Sequence, residues 1–159
     1  MTIEKHKTAC FIGHQKLPAT KMEQTISKLN TAIERLVEKG VTTFIASGQL
    51  GFDQIASFLI LAKEEMGYDI HFVLVLPDNG QESRWTTKEK QMYKQLIDMA
   101  DSIKYVPERG GRNGIKQHVQ YMIDGSTCCV CALIHEHSET GRAVNYARER
   151  QLEVINVMV

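Results

Sequence analysis

Two rhythms of apolar residues alternate along the chain. Short, nearly continuous runs rich in β-branched and aromatic residues cover 8–12, 43–46, 70–76, 102–106, 127–134 and 154–159, and each has the length and composition of a buried strand. Between them, apolar residues recur at helical spacing. Met22, Ile26, Leu29, Ile33, Leu36 and Val37 form such a stripe and predict a helix over 21–39. Similar stripes predict helices over 54–66 (Ile55, Phe58, Leu59, Leu61, Ala62), 88–100 (Met92, Tyr93, Leu96, Ile97, Ala100), 115–124 (Val119, Met122) and 141–150. Gly40 and Gly67 end the first two in the way glycine commonly ends helices. The run 127–134 is the most apolar, and it is expected to be the central strand.

Strand and helix thus alternate about six times, which predicts an α/β fold of three layers. A mostly parallel sheet of about six strands would carry helices on both faces. With 159 residues and no repeat, linker or low-complexity segment, one domain over 1–159 is expected. Ligands of such sheets bind beyond the carboxyl ends of the strands, near the switch in strand order. The loops at those ends hold most of the chain's polar chemistry: Gly13-His14, 47–53, 77–85, 107–113 and 135–141.

Composition narrows the picture only a little. Hydrophobic residues make up 43% and charged residues 24%, and 19 Lys and Arg balance 19 Asp and Glu. A net charge of zero argues against general attraction to nucleic acid or anionic membrane. No apolar run reaches the roughly 18 residues that span a bilayer, and the start of the chain is too polar for a signal peptide. A cytoplasmic location is the default expectation. Three of the four cysteines, Cys128, Cys129 and Cys131, fall in one apolar run, and Cys10 lies in another. Without CxxC spacing they read as buried, reduced thiols rather than zinc ligands, despite His135 and His137 nearby. No metal and no cofactor are expected.

The segment 42–54, TTFIASGQLGFDQ, holds the densest candidate chemistry. A strand breaks at Ser47-Gly48, and a helix starts near Asp53. Such a unit aims N–H groups and the positive end of a helix at whatever sits above the strand, which favours a phosphate. Gly48 and Gly51 would let the backbone approach it. Asp53 either caps the helix or accepts a ribose hydroxyl. The spacing is neither a Walker A nor a GxGxxG fingerprint.

Taken together, the loops resemble the SLOG superfamily of Rossmann-like nucleotide-binding domains, with the YpsA branch nearest. The matching pieces are Ile12-Gly13-His14, Ser47-Gly48-Gln49-Leu50-Gly51, and Pro77 with Gln81 and Trp85. Tyr93, Ala100-Asp101, Arg112-Asn113 and Met122-Ile123-Asp124 follow in order. The resemblance covers nearly the whole chain and implies a nucleotide ligand, such as ADP-ribose or another NAD derivative, including cyclic forms. Its relatives include cytokinin-activating phosphoribohydrolases, the DNA-processing protein DprA and antiphage sensor domains. The hydrolases carry a Pro-Gly-Gly-x-Gly-Thr-x-x-Glu loop with a catalytic glutamate. Here the corresponding stretch is 137–145, in which only Thr140-Gly141 matches and the glutamate position is not acidic. A sensor or sequestering module without turnover is therefore the first expectation. A hydrolase cleaving an N-glycosidic bond is the second, with Asp53 and Glu139 as candidate carboxylates. A DprA-like binder of single-stranded DNA is the third, although Lys104, Arg109, Arg112 and Lys116 make only a modest basic patch.

The individual residues keep two readings each. Arg112 suits a phosphate with its planar fork, or is a solvated loop charge. Asn113 and Asp124 hold each other or a ribose, or cap a helix. Trp85 stacks on a base or anchors its loop. His14 contacts phosphate or closes its strand structurally. Gln49 and Gln81 offer amides to a base edge or face water. Thr140-Gly141 opens a helix and offers a second anion site. Two anion sites would suit a diphosphate better than a monophosphate. A homodimer is expected from the pairing of related hydrolases.

Overall fold

A computed structural model describes residues 4–111 and 114–159. Its strands are β1 (Thr8–Gly13), β2 (Thr43–Ala46), β3 (His71–Pro77), β4 (Ser102–Val106), β5 (Cys128–Ala132) and β6 (Glu153–Asn156). Its helices are α1 (Met22–Glu38), α2 (Phe52–Glu65), α3 (Thr87–Met99), α4 (Gln117–Asp124) and α5 (Glu139–Glu149). The strands form one sheet in the order β4-β3-β2-β1-β5-β6, with every neighbouring pair parallel.

Both faces of the sheet are covered. Alternation along each strand sends Phe11, Phe44, Phe72 and Leu74 to the side of α1, α2 and α3, where they meet Leu29, Phe52 and Leu96. Phe11 stacks on Phe44 at 5.8 Å and meets Phe52 edge-on at 6.3 Å. Cys10, Ile45, Val73, Cys129 and Cys131 face the other way and pack on Met122, Ile123 and Val144 of α4 and α5. Cys129 and Cys131 thus share a face while Cys128 takes the opposite one, and all four thiols are free and buried. Among the described residues no group of His, Cys, Asp and Glu is placed to hold a metal ion. No described helix is long and apolar enough to cross a membrane.

Several expectations need correction. The middle of the sheet is β1 and β2 rather than β5. β5 is fully buried because β1 and β6 flank it and helices cover it, which is the environment that its apolar run reports. Ile26 and Met92, counted on apolar stripes, are 40% and 37% exposed, because the stripes they extend are narrower than assumed. α5 begins at Glu139 rather than Gly141, because Ser138 caps it by accepting the Gly141 N–H. β6 stops at Asn156, whose side-chain amide bonds the N–H and C=O of Leu133 and turns the chain away.

The order matters for function. From β1 the chain builds outward through β2, β3 and β4. It then returns on the other face to place β5 at β1's free side. The strand order therefore reverses between β1 and β5, and their carboxyl ends diverge there.

Candidate functional site

A cavity of about 240 Å³ opens above the carboxyl end of β1. One wall is the turn from β2 into α2, with Ser47, Gln49 and Asp53. The other is the first turns of α4 and α5, with Ile115, Lys116, His118, Ser138, Glu139 and Thr140. Gly13, His14 and Gln15 form the floor between them.

The turn after β2 is closed on itself. The Asp53 carboxylate is buried and accepts from the Ser47 hydroxyl, from the Ser47 N–H at 3.4 Å and from the Gly13 amide. Burial nevertheless pushes its carboxyl up to about 7, against the pull of those donors. The Gln49 N–H turns in to the Ser47 hydroxyl at 3.4 Å, the Leu50 N–H to the Gln49 side chain at 3.0 Å, and the Phe52 N–H to the His14 carbonyl at 3.2 Å. The N–H groups of Ser47, Gln49, Leu50 and Phe52 are thus engaged within the protein, and a carboxylate stands beside the helix start where the phosphate was expected. Gly48 and Gly51 have φ of 73° and 85°, and their needs are internal. A Cβ on Gly51 would lie 2.2 Å from the Gln15 carbonyl oxygen, and one on Gly48 would lie 2.7 Å from the Tyr93 ring.

Gln81 and Trp85 belong to the scaffold of that wall rather than to the cavity lining. The Gln81 amide donates to the Ser47 carbonyl at 2.9 Å and to the Tyr93 hydroxyl at 3.0 Å, and Gln49 donates to Gln81 at 3.5 Å. Trp85 meets Tyr93 edge-on at 5.1 Å and packs on the core. Both are half-buried: the contacts of Trp85 are those of a loop anchor, and the Gln81 amide is bonded within the protein.

His14 ties the floor to the loop after β5. Its Nε2 accepts from the N–H groups of Ile134 and His135 at 2.9 and 3.2 Å. A ring nitrogen that accepts two amides carries no proton, so the neutral form is required. Burial lowers its pKa, and the neighbouring His135 ring, centred 5.3 Å away, lowers it further.

The opposite wall was harder to foresee. His118 is 4% exposed, and its Nδ1 lies 3.3 Å from Glu108 Oε2. The other Glu108 oxygen accepts the Gln117 N–H at 2.6 Å, and the Glu108 N–H donates to Asp78 at 3.1 Å. Burial lowers the pKa of His118, while Glu108 opposes that shift. Lys116 Nζ lies 3.9 Å from Glu139 at the rim, and Thr140 is buried beside them. Neither His118 nor Glu108 was among the sequence candidates. The available signal was the four-residue spacing of His118 and Met122, which places the histidine on the inward stripe of α4.

Two candidates part from the site. Asp124 ends α4, about 9 Å along the helix from His118, and bonds the Tyr146 hydroxyl at 2.8 Å and Arg150 at 3.2 Å. Gly141 gives its N–H to the Ser138 cap, so it is not an open donor. Arg112 and Asn113 lie outside the described residues.

A parallel sheet with helices on both faces and a polar cavity at the strand-order switch defines a Rossmann-like α/β domain. The profile of the YpsA family, described as the YspA SLOG family, matches residues 12–155, and the chain belongs to that family. The uncharacterized SPbeta prophage-derived protein YoqJ of Bacillus subtilis (strain 168) is 29% identical over 138 residues, which is 79% of this chain and 81% of that protein. UPF0398 protein ABC2016 of Shouchella clausii (strain KSM-K16) is 28% identical over 82 residues, 51% of this chain and 44% of that one. Among solved structures, DNA processing protein A (DprA) of Streptococcus pneumoniae superposes with a TM-score of 0.62 at 10% identity. The superposition covers 94% of this chain and 49% of that one, so the chain spans about half of that protein. DprA of Helicobacter pylori, described for its single-stranded DNA binding mode, gives a TM-score of 0.58 at 15% identity over 94% of this chain and 64% of that one. At such identities the likeness is one of fold.

Proposed function

We propose that this chain is a nucleotide-binding protein whose ligand enters the cavity between the β2–α2 turn and the α4–α5 wall. It would act as a sensor or sequestering module. The observation that carries the reading is the asymmetry of the cavity. One wall offers a buried carboxyl and a hydroxyl, and the other offers a helix start with Lys116 and Thr140 beside it. A ribose suits the first wall and a phosphate the second. At about 240 Å³ the cavity is smaller than the roughly 300–1,000 Å³ of whole-ligand pockets. It thus takes one ribose-phosphate unit, and a larger ligand extends beyond its mouth.

ADP-ribose or a related NAD-derived nucleotide, cyclic forms included, is the ligand class we favour, with one phosphate inside and the remainder outside. The β2–α2 turn engages the N–H groups of Ser47, Gln49, Leu50 and Phe52 within the protein, which weakens it as a first anion site. The SLOG resemblance and the open mouth support a diphosphate ligand. Within the site, Gly13, His14, Ser47, Gln49, Asp53, Glu139 and Thr140 line the cavity. Gly48, Gly51, Gln81, Trp85 and Gly141 shape it from behind.

Single-stranded DNA is the second reading, and a different surface favours it. Tyr105 and Tyr121 are 57% and 39% exposed, and Lys104 lies 5.7 Å from the centre of the Tyr121 ring. Exposed aromatics beside a cation are the elements of a base-stacking platform. The DprA likeness in fold puts nucleic acid back among the ligands to test, against the expectation from net charge.

A thermal-shift panel of ADP-ribose, AMP, inorganic phosphate and an oligothymidylate separates these readings. A ligand that binds only the folded state adds about 2.7 kcal/mol at a hundredfold excess over its dissociation constant. The expected order is ADP-ribose at or above AMP, both well above phosphate. Stabilisation by the oligonucleotide alone would replace the nucleotide reading with the DprA-like one. The homodimer is proposed with it, and light scattering that returns the mass of a single chain, 18.0 kDa, would remove it.

A further inference from the structure

We propose that the open edge of β6, with the groove between it and α1, takes an extended acidic peptide as a further strand of the sheet. The groove shares no lining residue with the nucleotide cavity.

β6 is the last strand of the sheet and pairs only with β5. The N–H groups of Glu153 and Val157 bond to the Thr127 and Cys131 carbonyls at 3.1 and 2.9 Å. In a parallel ladder alternate residues turn their backbone groups to the same neighbour. Glu153, Ile155 and Val157 therefore serve β5, while Val154 and Asn156 turn outward. The Asn156 carbonyl accepts from the Val159 N–H at 3.4 Å. The two outward N–H groups and the Val154 carbonyl are open to a new strand, and an edge of this kind is a template for strand addition.

The groove beside this edge has a volume of about 320 Å³. Ala32 and Leu36 of α1 face Ile155 and Val157 across it and give it an apolar floor. No aromatic side chain lines it, so bases have nothing to stack on, which favours a peptide over single-stranded nucleic acid.

Charge selects the kind of peptide. The lining holds three cations, Lys28, Arg35 and Lys39, against one carboxylate, Glu153, in a chain whose formal net charge is zero. Arg35 has no side-chain hydrogen bond or ion pair among the described residues. Lys39 lies 3.7 Å from Glu153, with the two side chains 58% and 51% exposed, and so exposed a pair exchanges readily for an incoming carboxylate. Arg35 and Lys39 stand four residues apart, about 6 Å along the helix. Side chains on one face of a strand recur about every 6.6 Å. A segment with acids at alternate positions therefore matches both cations while its backbone pairs with β6. A second copy of this chain fits less well, because a two-fold axis at this edge would set the same cations against each other.

The test follows the anisotropy of a fluorescein-labelled peptide of alternating Glu and Thr as the full chain is added. A Lys-Thr counterpart and a version with Pro for its central Thr serve as controls. Saturable binding of the acidic peptide is expected, and none of the basic one. Arg35→Glu should weaken it about tenfold or more without moving the unfolding midpoint, because Arg35 is exposed. Proline removes a backbone donor, so the interrupted peptide should bind more weakly. Val154→Pro should weaken binding likewise, since it removes an outward N–H and spares the ladder to β5. Should that variant fail to fold, the interrupted peptide decides whether backbone pairing contributes. Equal binding of the interrupted peptide, or equal competition by oligothymidylate, would reduce the groove to a polyanion site and overturn strand addition. No binding of the acidic peptide, equal binding of the basic one, or an affinity that Arg35→Glu leaves unchanged also overturns the proposal. A lower mass for Arg35→Glu in light scattering, with no peptide bound by the parent, would give the groove to a second copy instead.

Discussion

The two walls of the cavity are built on opposite plans. The β2–α2 wall is the most motif-like stretch of the chain, and many of its polar groups are tied to one another: Ser47 to Asp53, Gln49 to Leu50 and Gln81, Phe52 to His14. The α4–α5 wall has no recognisable motif, yet its His118 and Lys116 both line the cavity. A glycine turn at a helix start is thus a device for packing as readily as for phosphate. Only the hydrogen-bond inventory of its amides tells the two apart.

The hardest test of this contrast is Gly51→Ala. A Cβ there meets a backbone oxygen at 2.2 Å, and the residue holds φ at 85°, so neither partner has room to yield. The substitution should cost more than about 4 kcal/mol, in the range reserved for named structural faults, and denaturant unfolding measures it. A variant that stays as stable as the parent but loses nucleotide would mean that the turn serves ligand after all.

Asp53→Asn sharpens the comparison next. In the fold the carboxyl titrates near 7, above its ordinary 3.8, so the folded state binds the proton more tightly than the unfolded one. The stability this provides is complete below about pH 4 and is lost as pH rises through 7. The Asn variant has no such dependence. The difference in unfolding free energy between parent and variant should therefore change by up to about 4 kcal/mol from pH 4 to 8, since each tenfold difference in proton affinity is worth about 1.4 kcal/mol. Parallel pH curves would show that the wall is wetter than its burial indicates.

The contrast also explains what the sequence made legible. β4 falls on its expected bounds, and each expected strand and helix is present, because continuous apolar runs and helical stripes report burial directly. Strand order is not local information. The same run of Cys128–Ala132 would look alike in the middle of the sheet or one place from its edge, provided both faces were covered. The site divides the same way. Asp53 stood out because it opens a helix after a glycine turn. Glu108 and His118 meet across an irregular loop, ten positions apart, and nothing in their spacing announces a contact. Asp124 was misplaced for the complementary reason: it shares α4 with His118 but lies at the far end, beside Tyr146 and Arg150.

The smallest effect discriminates best between the walls. Lys116 contributes little to the fold: its contact with Glu139 is 3.9 Å long, and the two side chains are 47% and 66% exposed. Such pairs are worth about 0–1 kcal/mol, so Lys116→Ala should leave the unfolding midpoint almost unmoved. If the nucleotide phosphate lies at the start of α5, the same substitution should weaken ADP-ribose about three- to tenfold at low ionic strength. It should weaken it less at 0.5 M salt, where the Debye length falls to roughly 4 Å. Calorimetry at the two salt concentrations reads both effects. Unchanged affinity at low salt would move the phosphate away from the α4–α5 wall. The anion would then sit at the cavity mouth or above the β2–α2 turn, and the division of labour between the walls would be wrong.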